Sequence, residues 1–358
     1  MRTDDLDYEL PGSSIAQTPA EPRDSARLLV DAGAGVPPED RVVRDLPSLV
    51  RPGDVVVLNE TRVLPARVAV HRPGGGAGEV LLLEEREEGW WEALARPGRK
   101  LRPGDVVSSV AGSVRFEVGP DLPDGRKLVR PLAEGDLRDA LAGAGEMPLP
   151  PYIHEPLEEP DRYQTVFAGE RAASAAAPTA GLHLTPAVLD GLLAAGAVVC
   201  TVELVVGLDT FRPVTTEQLE DHVIHTERYE VPPATWDEVR AAADDGRRVL
   251  AVGTTCVRAL ESVASRGELA GRTDLFITPG YEYRVVDVLL TNFHLPRSSL
   301  LALVEAFVGP RWRDLYATAV DRGYRFLSFG DAMLLHRTAH RPNAPDPARG
   351  PAAGGAPA

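Results

Sequence analysis

Cysteine and long apolar runs are both scarce in this chain. The two cysteines, Cys200 and Cys256, are too few for a disulfide framework in 358 residues, and neither belongs to a metal-spaced pair. No apolar run approaches the roughly 20 residues that cross a bilayer, and the first residues lack the apolar core of a signal peptide. We therefore expect a cytoplasmic protein that does not contact a membrane.

Positive charge is also in short supply. The chain has 38 Lys and Arg residues against 53 Asp and Glu residues, which gives a formal net charge of −15. Phosphate binding usually requires an excess of cations, so this balance argues against a nucleic-acid partner unless a local basic face exists. The candidate for such a face contains Arg96, Arg99, Lys100 and Arg102. The alternative is a solvated hairpin edge.

Two kinds of sequence pattern divide the chain. Residues 64–146 contain short alternating runs separated by turns rich in proline and glycine, a spacing typical of a small β-barrel. Residues 1–63 and 147–337 form the other part, in which apolar strands alternate with helices from Thr185 to Ala306, as in a mostly parallel sheet. We predict an α/β fold in which a small all-β, barrel-like domain is inserted into a discontinuous domain with a mostly parallel sheet. The proline-rich residues 338–358 are expected to be a disordered tail.

The most informative strand end follows residues 285–290. This apolar run leads into Thr291, Asn292 and His294, and then into a helix that a serine could cap. The carboxyl end of a strand that opens onto a helix N-terminus is the usual ligand position in an open α/β sheet. The alternative is that Asn292 and His294 only hydrogen-bond the turn.

Two other predicted strand ends carry similar groups. One ends in Asn59 and Arg62, which suggests a site shared with the first strand end. The other contains Thr179, Gly181 and His183. The glycine would permit close approach of a ligand to the backbone, and the histidine suits acid–base chemistry near neutral pH. A lone histidine is more often structural, so both interpretations stay open.

Two further turns are less specific. Thr254 and Thr255 follow a predicted strand, and they lack the spaced glycines of a dinucleotide fingerprint or a P-loop. Their hydroxyls and N–H groups could still bind a carboxylate or a ribose. Cys256 fits a buried small residue better than a nucleophile. Asp331 follows a short aromatic strand, where ordinary sheet packing explains the pattern equally well.

The segment 222–230 contains two histidines. In an extended strand, His225 and Glu227 would share one face and His222 would point to the other, so the histidines would not converge on a zinc ion. An imidazole and a carboxylate on one face suit proton transfer or ligand hydrogen bonding.

Taken in order, these stretches resemble the S-adenosylmethionine:tRNA ribosyltransferase-isomerase family of queuosine biosynthesis, from the start of the chain to about residue 335. The resemblance is carried by Asp7-Tyr-Glu-Leu-Pro, Ile15-Ala-Gln, Asn59-Glu-Thr-Arg-Val-Leu-Pro-Ala-Arg, Met147-Pro-Leu-Pro-Pro-Tyr-Ile, Tyr163-Gln-Thr-Val, Ala177-Pro-Thr-Ala-Gly-Leu-His, His225-Thr-Glu, Ala251-Val-Gly-Thr-Thr, Thr291-Asn-Phe-His-Leu-Pro and Gly330-Asp-Ala-Met.

The resemblance implies an α/β domain with an inserted β-barrel, and it implies a reaction. These enzymes transfer the ribosyl part of S-adenosylmethionine to 7-aminomethyl-7-deazaguanine at the wobble position of tRNA and isomerise it. They release adenine and methionine and leave epoxyqueuosine-tRNA. S-adenosylmethionine is a co-substrate, and no cofactor or metal is expected because the sulfonium acidifies its neighbouring methylene and methionine is a good leaving group.

Such chemistry requires a base for the proton beside the sulfonium, an acid for adenine and a base for the attacking amine. The candidates for these steps are His183, His225, Glu227 and His294. The predicted substrate-binding residues are Asn59, Arg62, Thr179, Gly181, Thr254, Thr255, Thr291, Asn292 and Asp331. The predicted tRNA contacts are Arg96, Arg99, Lys100 and Arg102. The oligomeric state is left open, a monomer included.

Three positions depart from the family pattern. Val205 stands where a histidine is expected, Asp209 where a glycine is, and Glu60 where an Asp or Asn is. Valine cannot transfer a proton, whereas Asp209 adds a carboxylate that could hold a sulfonium or an amine. Two alternatives therefore stay open: a related transferase with a small amine or deazapurine as acceptor, and a non-catalytic nucleotide- or RNA-binding relative.

Overall fold

The computed structural model describes residues 1–31, 33–170, 172–207 and 213–338. Asp209 and all but the first residue of the predicted tail lie outside these described residues. The strands, in chain order, are β1 (Arg27–Asp31), β2 (Glu39–Val42), β3 (Val55–Asn59), β4 (Arg62–Val63), β5 (Arg67–His71), β6 (Ala77–Glu85), β7 (Trp91–Arg96), β8 (Val106–Ser109), β9 (Val114–Asp121), β10 (Arg126–Ala133), β11 (Gly145–Glu146), β12 (Ala172–Ser174), β13 (Val198–Leu204), β14 (Glu227–Glu230), β15 (Val249–Val252), β16 (Ala270–Thr273), β17 (Val288–Asn292) and β18 (Ala332–His336). The α-helices are α1 (Leu137–Ala144), α2 (Pro186–Ala194), α3 (Pro233–Asp244), α4 (Thr254–Arg266), α5 (Ser299–Val308) and α6 (Trp312–Asp321).

A mixed sheet of nine strands forms the larger part of the fold, in the order β16-β14-β13-β3-β15-β17-β18-β1-β2. The centre is parallel, as predicted: β13, β3, β15 and β17 run side by side in one direction. The edge pairs β14–β16 and β1–β2 are antiparallel. Strands β17 and β18 are antiparallel as well, because two helices, α5 and α6, separate them and return the chain to the same end of the sheet.

The central strands are buried on both faces, which explains why they are apolar throughout. In β3, Val55 and Val57 pack into the core beneath α3 to α6, whereas Val56 and Leu58 pack into a second core on the other face, with α2. Because β3, β15 and β17 run in the same direction, their carboxyl ends lie at one rim of the sheet, where polar groups can meet a ligand.

The second sheet is a closed β-barrel. Strands β5, β6, β7, β10, β9 and β8 pair in sequence, the β5–β8 pair closes the circle, and β11 adds to β5. Alternate residues such as Trp91, Ala93 and Phe116 fill the interior. Helix α1, which the sequence pattern did not predict, begins at the N-cap Asp136, whose carboxylate accepts a hydrogen bond from the Arg138 N–H, 2.7 Å away. The helix has only eight residues, which is shorter than the stretch over which apolar periodicity indicates a helix.

The start of β17 differs from the prediction. Residues 285–287 are apolar enough to be read as a strand, yet the N–H groups of Val285 and Val286 donate to the buried carboxylate of Glu261 in α4, each at 3.1 Å. The Arg284 N–H and the Tyr281 hydroxyl donate to the same carboxylate. The regular ladder therefore begins only at Val288, and α4 is tied to the segment that leads into β17.

Candidate functional site

The first cavity lies at the carboxyl ends of β15 and β17, and we call it the strand-end cavity. It has a volume of about 50 Å³. Gly253, which links β15 to α4, has a φ of 92°, a backbone angle that side-chain-bearing residues rarely adopt. The polar residues of the lining are Tyr152, Thr179, Thr254, Thr255, Thr291, Asn292, His294, Ser298 and Ser328. None of the described residues that line this cavity carries a carboxylate, an ammonium or a guanidinium group.

Hydrogen bonds join the predicted residues of this cavity into one group. The Thr179 hydroxyl donates to Asn292 Oδ1 at 2.9 Å, and Asn292 Nδ2 donates to the Leu327 carbonyl at 3.1 Å. Thr291 Oγ1 lies 3.0 Å from His294 Nε2. The prediction that the residues around 291–294 gather at a strand end is therefore confirmed as geometry, although their binding of substrate stays a prediction.

His294 is held as a neutral group. Burial lowers the pKa of its imidazole to about 3. Its backbone is fixed on both sides: the Tyr8 hydroxyl donates to the His294 carbonyl at 2.5 Å, and the His294 N–H donates to the Tyr316 hydroxyl at 3.1 Å. The side chain can therefore accept or donate a hydrogen bond without bringing charge into the cavity.

The first turn of α4 brings unsatisfied donors to the same place. Thr254 and Thr255 open the helix, and its N-cap, Gly253, offers no side chain to the free N–H groups. The Thr255 hydroxyl is buried and has no hydrogen-bond partner among the described residues. An unpaired buried hydroxyl is costly unless a ligand or water completes it.

The second cavity lies between the barrel and the α/β domain, and we call it the charged cavity. It has a volume of about 360 Å³. Both cavities touch Leu300 at the start of α5. The ionisable residues of the lining are Glu84, Glu92, Arg126, His222, His225, Glu227 and Arg258. Val205, the position where a histidine was expected, also lines this cavity.

Glu227 is a buried carboxylate that contacts Arg258 and the Gly207 backbone. Its Oε2 forms an ion pair with Arg258 of α4, and its Oε1 accepts a hydrogen bond from the Gly207 N–H at 3.1 Å. Arg258 Nε also donates to the Leu275 carbonyl at 3.1 Å. Burial lowers the pKa of the Arg258 guanidinium to about 10, which leaves it charged at neutral pH. The guanidinium thus places a positive charge beside the buried carboxylate of Glu227.

Both histidines of the segment 222–230 line the charged cavity, so the expectation that His222 points away is wrong. The strand begins only at Glu227, and the irregular segment before it does not follow strand alternation. The Arg126 guanidinium of the barrel lies 3.0 Å from His225 Nδ1. His222 packs edge-on against Phe276, with ring centroids 5.6 Å apart, and burial lowers the pKa of its imidazole, with a smaller contribution from His225.

Five predicted residues line neither cavity: Asn59, Arg62, Gly181, His183 and Asp331. The ring nitrogens of His183 lie 3.2 Å from the Ala180 carbonyl and 2.8 Å from the Gly330 carbonyl. A Cβ on Gly181 would come within 2.7 Å of the Phe167 ring, so packing requires this glycine. The close approach that we expected for a ligand is made here by a side chain.

The three other residues of this group are held by the backbone. Asn59 exchanges two hydrogen bonds with Leu204, which ties β3 to β13. Arg62 donates to the carbonyls of residues 168 and 169. Asp331 accepts from the N–H groups of Arg27 and Arg325. These contacts give each residue a place in the fold, and a role in substrate binding stays a prediction for all three.

The predicted RNA contacts lie together on the barrel surface. Arg96 ends β7, and Arg99, Lys100 and Arg102 follow in the next turn, all four exposed. Within the described part of the chain, no acidic side chain forms an ion pair with any of them. Four other barrel arginines, Arg67, Arg86, Arg126 and Arg130, are each paired with a glutamate. The contrast leaves a local excess of positive charge on this surface.

Several lining residues escaped the sequence analysis. Tyr152 and Ser328 hydrogen-bond each other at 2.7 Å beside the strand-end cavity. Glu92 and Arg126 reach the charged cavity from the barrel, and no local pattern indicates a contact between separate domains. Arg258 lies in α4 among Thr254, Thr255, Glu261 and Ser262, a polar helix face that is also buried, so the sequence alone gives no sign of its burial.

Two searches of the described residues were negative. Within residues 1–31, 33–170, 172–207 and 213–338, no group of three or more His, Cys, Asp or Glu side chains is arranged to hold a metal ion. In the same ranges, no helix is both long enough and apolar enough to cross a bilayer.

Comparisons with known proteins agree over nearly the whole chain. The family described as Queuosine biosynthesis protein matches residues 3–335. A protein of Rubrobacter xylanophilus called S-adenosylmethionine:tRNA ribosyltransferase-isomerase is 54% identical over 336 residues, which cover 94% of this chain and 98% of that protein. A protein of the same name from Moorella thermoacetica is 49% identical over 342 residues, 94% of this chain and 100% of that protein.

A solved structure also matches. The crystal structure of S-adenosylmethionine tRNA ribosyltransferase from Thermotoga maritima is 36% identical, with a TM-score of 0.53, and the match covers 92% of this chain and 99% of that one.

Proposed function

Because the chain belongs to the queuosine biosynthesis protein family, we propose that it is an S-adenosylmethionine:tRNA ribosyltransferase-isomerase. It transfers the ribosyl moiety of S-adenosylmethionine to 7-aminomethyl-7-deazaguanine in tRNA and isomerises it, with release of adenine and methionine. The observation that carries the proposal is the near full-length identity of 54% to a protein of that name.

The strand-end cavity suits the ribose hydroxyls and the methionine carboxylate of S-adenosylmethionine. Ribose hydroxyls need acceptors and donors such as Thr179 and Asn292, whose side chains are already aligned by their mutual hydrogen bond. The methionine carboxylate needs N–H donors, which the first turn of α4 supplies together with the hydroxyls of Thr254 and Thr255. The neutral His294 would complete this set without opposing the positive sulfonium.

The charged cavity suits the proton transfers. His225 and Glu227 lie there, and Glu92 adds a second carboxylate from the barrel. The aminomethyl group of the acceptor is cationic in water, so a carboxylate-rich cavity favours its entry. We assign the acceptor nucleobase to this cavity, and we assign to the strand-end cavity only the contacts with the ribose hydroxyls and the methionine carboxylate, since its volume of about 50 Å³ is too small to enclose the whole co-substrate. The reacting carbon would then lie near Leu300, which both cavities touch.

The basic surface lies close enough to bind RNA adjoining the modified base. Alternate residues of β7 point outward, so Glu92 and Arg96 share one face of the barrel. Four residues of strand span about 13 Å. Glu92 lines the charged cavity, so Arg96, Arg99, Lys100 and Arg102 can contact phosphates a few nucleotides from a base that occupies it.

Adenine release from S-adenosylmethionine tests the proposal. We expect release by the wild-type protein only in the presence of tRNA that carries 7-aminomethyl-7-deazaguanine, with unmodified tRNA as the control. Release with a free deazapurine amine but not with tRNA would overturn the assignment of the acceptor.

Val205→His, assayed beside the wild type, tests the main departure from the family pattern. Equal rates would mean that the histidine is dispensable in this chain. Release by Val205→His alone would mean that the valine has inactivated or redirected the site.

A further inference from the structure

Arg126, at the start of β10, connects the barrel to the proposed proton-transfer site. Its side chain is 15% exposed. One terminal nitrogen donates to Glu92 Oε2 at 3.0 Å, and the other lies 3.0 Å from His225 Nδ1. Glu92 in turn accepts from Arg86 at 2.5 Å. The carboxylate of Glu92, on the neighbouring strand β7, thus holds the Arg126 guanidinium in its position against His225.

This contact determines where the His225 proton sits. A guanidinium has only donors and does not lose its proton in proteins, so Nδ1 must be the acceptor in the pair. A neutral imidazole that accepts at Nδ1 carries its hydrogen on Nε2. His225 therefore presents an N–H at Nε2, and a proton on Nδ1 would face the donors of Arg126.

A second barrel contact holds the adjacent residue. Arg272 of β16 pairs with Glu84 of the barrel, with Nη2 and Oε2 3.0 Å apart, and it donates to both the hydroxyl and the carbonyl of Thr226, at 2.7 Å and 3.0 Å. The segment that carries His225 has no ladder of its own before Glu227. These two contacts tie the segment to the barrel edge.

We propose that Arg126 is a positioning residue that holds His225 in the Nε2–H tautomer and makes the proton-transfer site dependent on the docked barrel. The inference rests on the proposed function. In this tautomer His225 is a hydrogen-bond donor, which fits donation to the departing adenine or to a ribosyl oxygen. It does not fit removal of the proton beside the sulfonium at Nε2, because that nitrogen has no free lone pair.

The test compares Arg126→Met with two other variants, a conservative substitution at the same position and a control elsewhere in β10. Methionine keeps an unbranched stem but removes the donors. Arg126→Lys keeps a cation that can only donate hydrogen bonds, so His225 should retain its tautomer in this variant. The same variant controls for a folding defect caused by any change at position 126. Arg130→Met is the matched control, because Arg130 lies on the same face of β10 and is paired with Glu117, away from both cavities.

The first readout is the tautomer in the enzyme without substrates. Two-bond ¹⁵N–¹H NMR correlations distinguish Nδ1–H from Nε2–H, and the His225 signals are identified by their loss in His225→Asn. We expect Nε2–H in the wild type, in Arg126→Lys and in Arg130→Met, and a mixture or Nδ1–H in Arg126→Met. An unchanged tautomer in folded Arg126→Met would overturn the proposal.

The second readout is the rate of adenine release with modified tRNA. A misplaced group costs on the order of 100-fold in rate, so we expect kcat of Arg126→Met to fall by that order with little change in KM for S-adenosylmethionine. Arg126→Lys should recover part of the loss, and Arg130→Met should match the wild type. Equal kcat values for Arg126→Met and Arg130→Met would contradict the inference.

The two proposals can fail separately. If the wild type releases no adenine, the proposed function fails, while the NMR measurement still tests the tautomer. If the wild type is active and its His225 carries the proton on Nδ1, the function stands and the role of Arg126 falls.

Discussion

The strand-end cavity and the charged cavity touch at Leu300 but are built from opposite chemistry. Hydroxyls, an amide and a neutral imidazole line the first. A buried ion pair, Glu227 with Arg258, and a half-buried one, Glu92 with Arg126, organise the second. Neutral groups can be left unpaired at moderate cost until a ligand binds, whereas buried charges need partners at all times. The strand-end cavity can therefore keep the Thr255 hydroxyl unpaired until a ligand binds. In the charged cavity, the carboxylates of Glu92 and Glu227 already have ion-pair partners.

The two cavities also differ in how the chain assembles them. The strand-end cavity draws most of its polar residues from strand ends and helix starts of one domain. The charged cavity combines barrel residues with an irregular segment, so its geometry depends on the contact between domains. The charged cavity should therefore be more sensitive to the loss of a single side chain.

The largest effect is expected from breaking the pair of Glu227 and Arg258. Arg258→Met would leave a carboxylate buried without its counter-charge and should lower the free energy of unfolding by about 3 to 5 kcal/mol, measured by urea denaturation. Arg266→Met is the control on the same helix, since Arg266 pairs with Asp274 at the surface, and it should cost at most about 1 kcal/mol. Comparable losses in both variants would contradict the contrast between the cavities.

A smaller effect concerns the dependence of stability on pH. In the folded state the pKa of His294 is about 3, whereas in the unfolded chain it is about 6.5. As the pH falls below the unfolded value, only the unfolded state takes up the proton, so the folded state loses stability until the pH reaches the folded value. His294 should account for a loss of about 2 kcal/mol between pH 7 and pH 5.

His294→Gln should reduce this pH dependence. The quantity to measure is the difference between the free energies of unfolding at pH 7 and pH 5. His154→Gln, at an exposed histidine, serves as the control and should behave like the wild type. The same pH dependence in His294→Gln and the wild type would show that His294 is not held neutral by burial.

A substitution at Thr255 tests whether the unpaired hydroxyl in the strand-end cavity binds a ligand. Thr255→Val keeps the side-chain shape and removes the unpaired hydroxyl, so the folded protein should be no less stable. The lost hydrogen bond, about 1 kcal/mol, should raise KM for S-adenosylmethionine about fivefold at saturating tRNA. Thr165→Val removes another buried, unpaired hydroxyl that lines neither cavity, and KM should stay unchanged. Equal KM values for Thr255→Val and the wild type would refute a binding role for Thr255.

The smallest effect is expected outside both cavities. Arg99→Gln should weaken tRNA binding only a few-fold and should reduce the slope of log affinity against log salt concentration by about 1. Arg67→Gln is the control, because Arg67 already pairs with Glu79 at 3.1 Å. An unchanged slope in Arg99→Gln would show that Arg99 does not contact the phosphates of tRNA.

Particular residues show which features of the structure could be predicted from the sequence. The serine cap of the helix after His294 was readable and is confirmed at Ser298, because capping needs only one side-chain oxygen and an N–H group a few residues ahead. The gathering of Thr291, Asn292 and His294 at a strand end was readable for a similar reason. His222 was misplaced because strand alternation was extended into an irregular segment.

The sequence by itself determined the α/β fold, the barrel and the family, since apolar periodicity, turn residues and ordered motifs are properties of the chain taken locally. Only the tertiary structure decided which polar residues meet. Asn59 ends β3 as Asn292 ends β17, and Asp331 precedes β18 instead of following a strand as predicted; backbone groups distant in sequence take up hydrogen bonds of both. Arg126 carries no local mark of its contact with His225, because that contact exists only when the barrel is docked against the α/β domain.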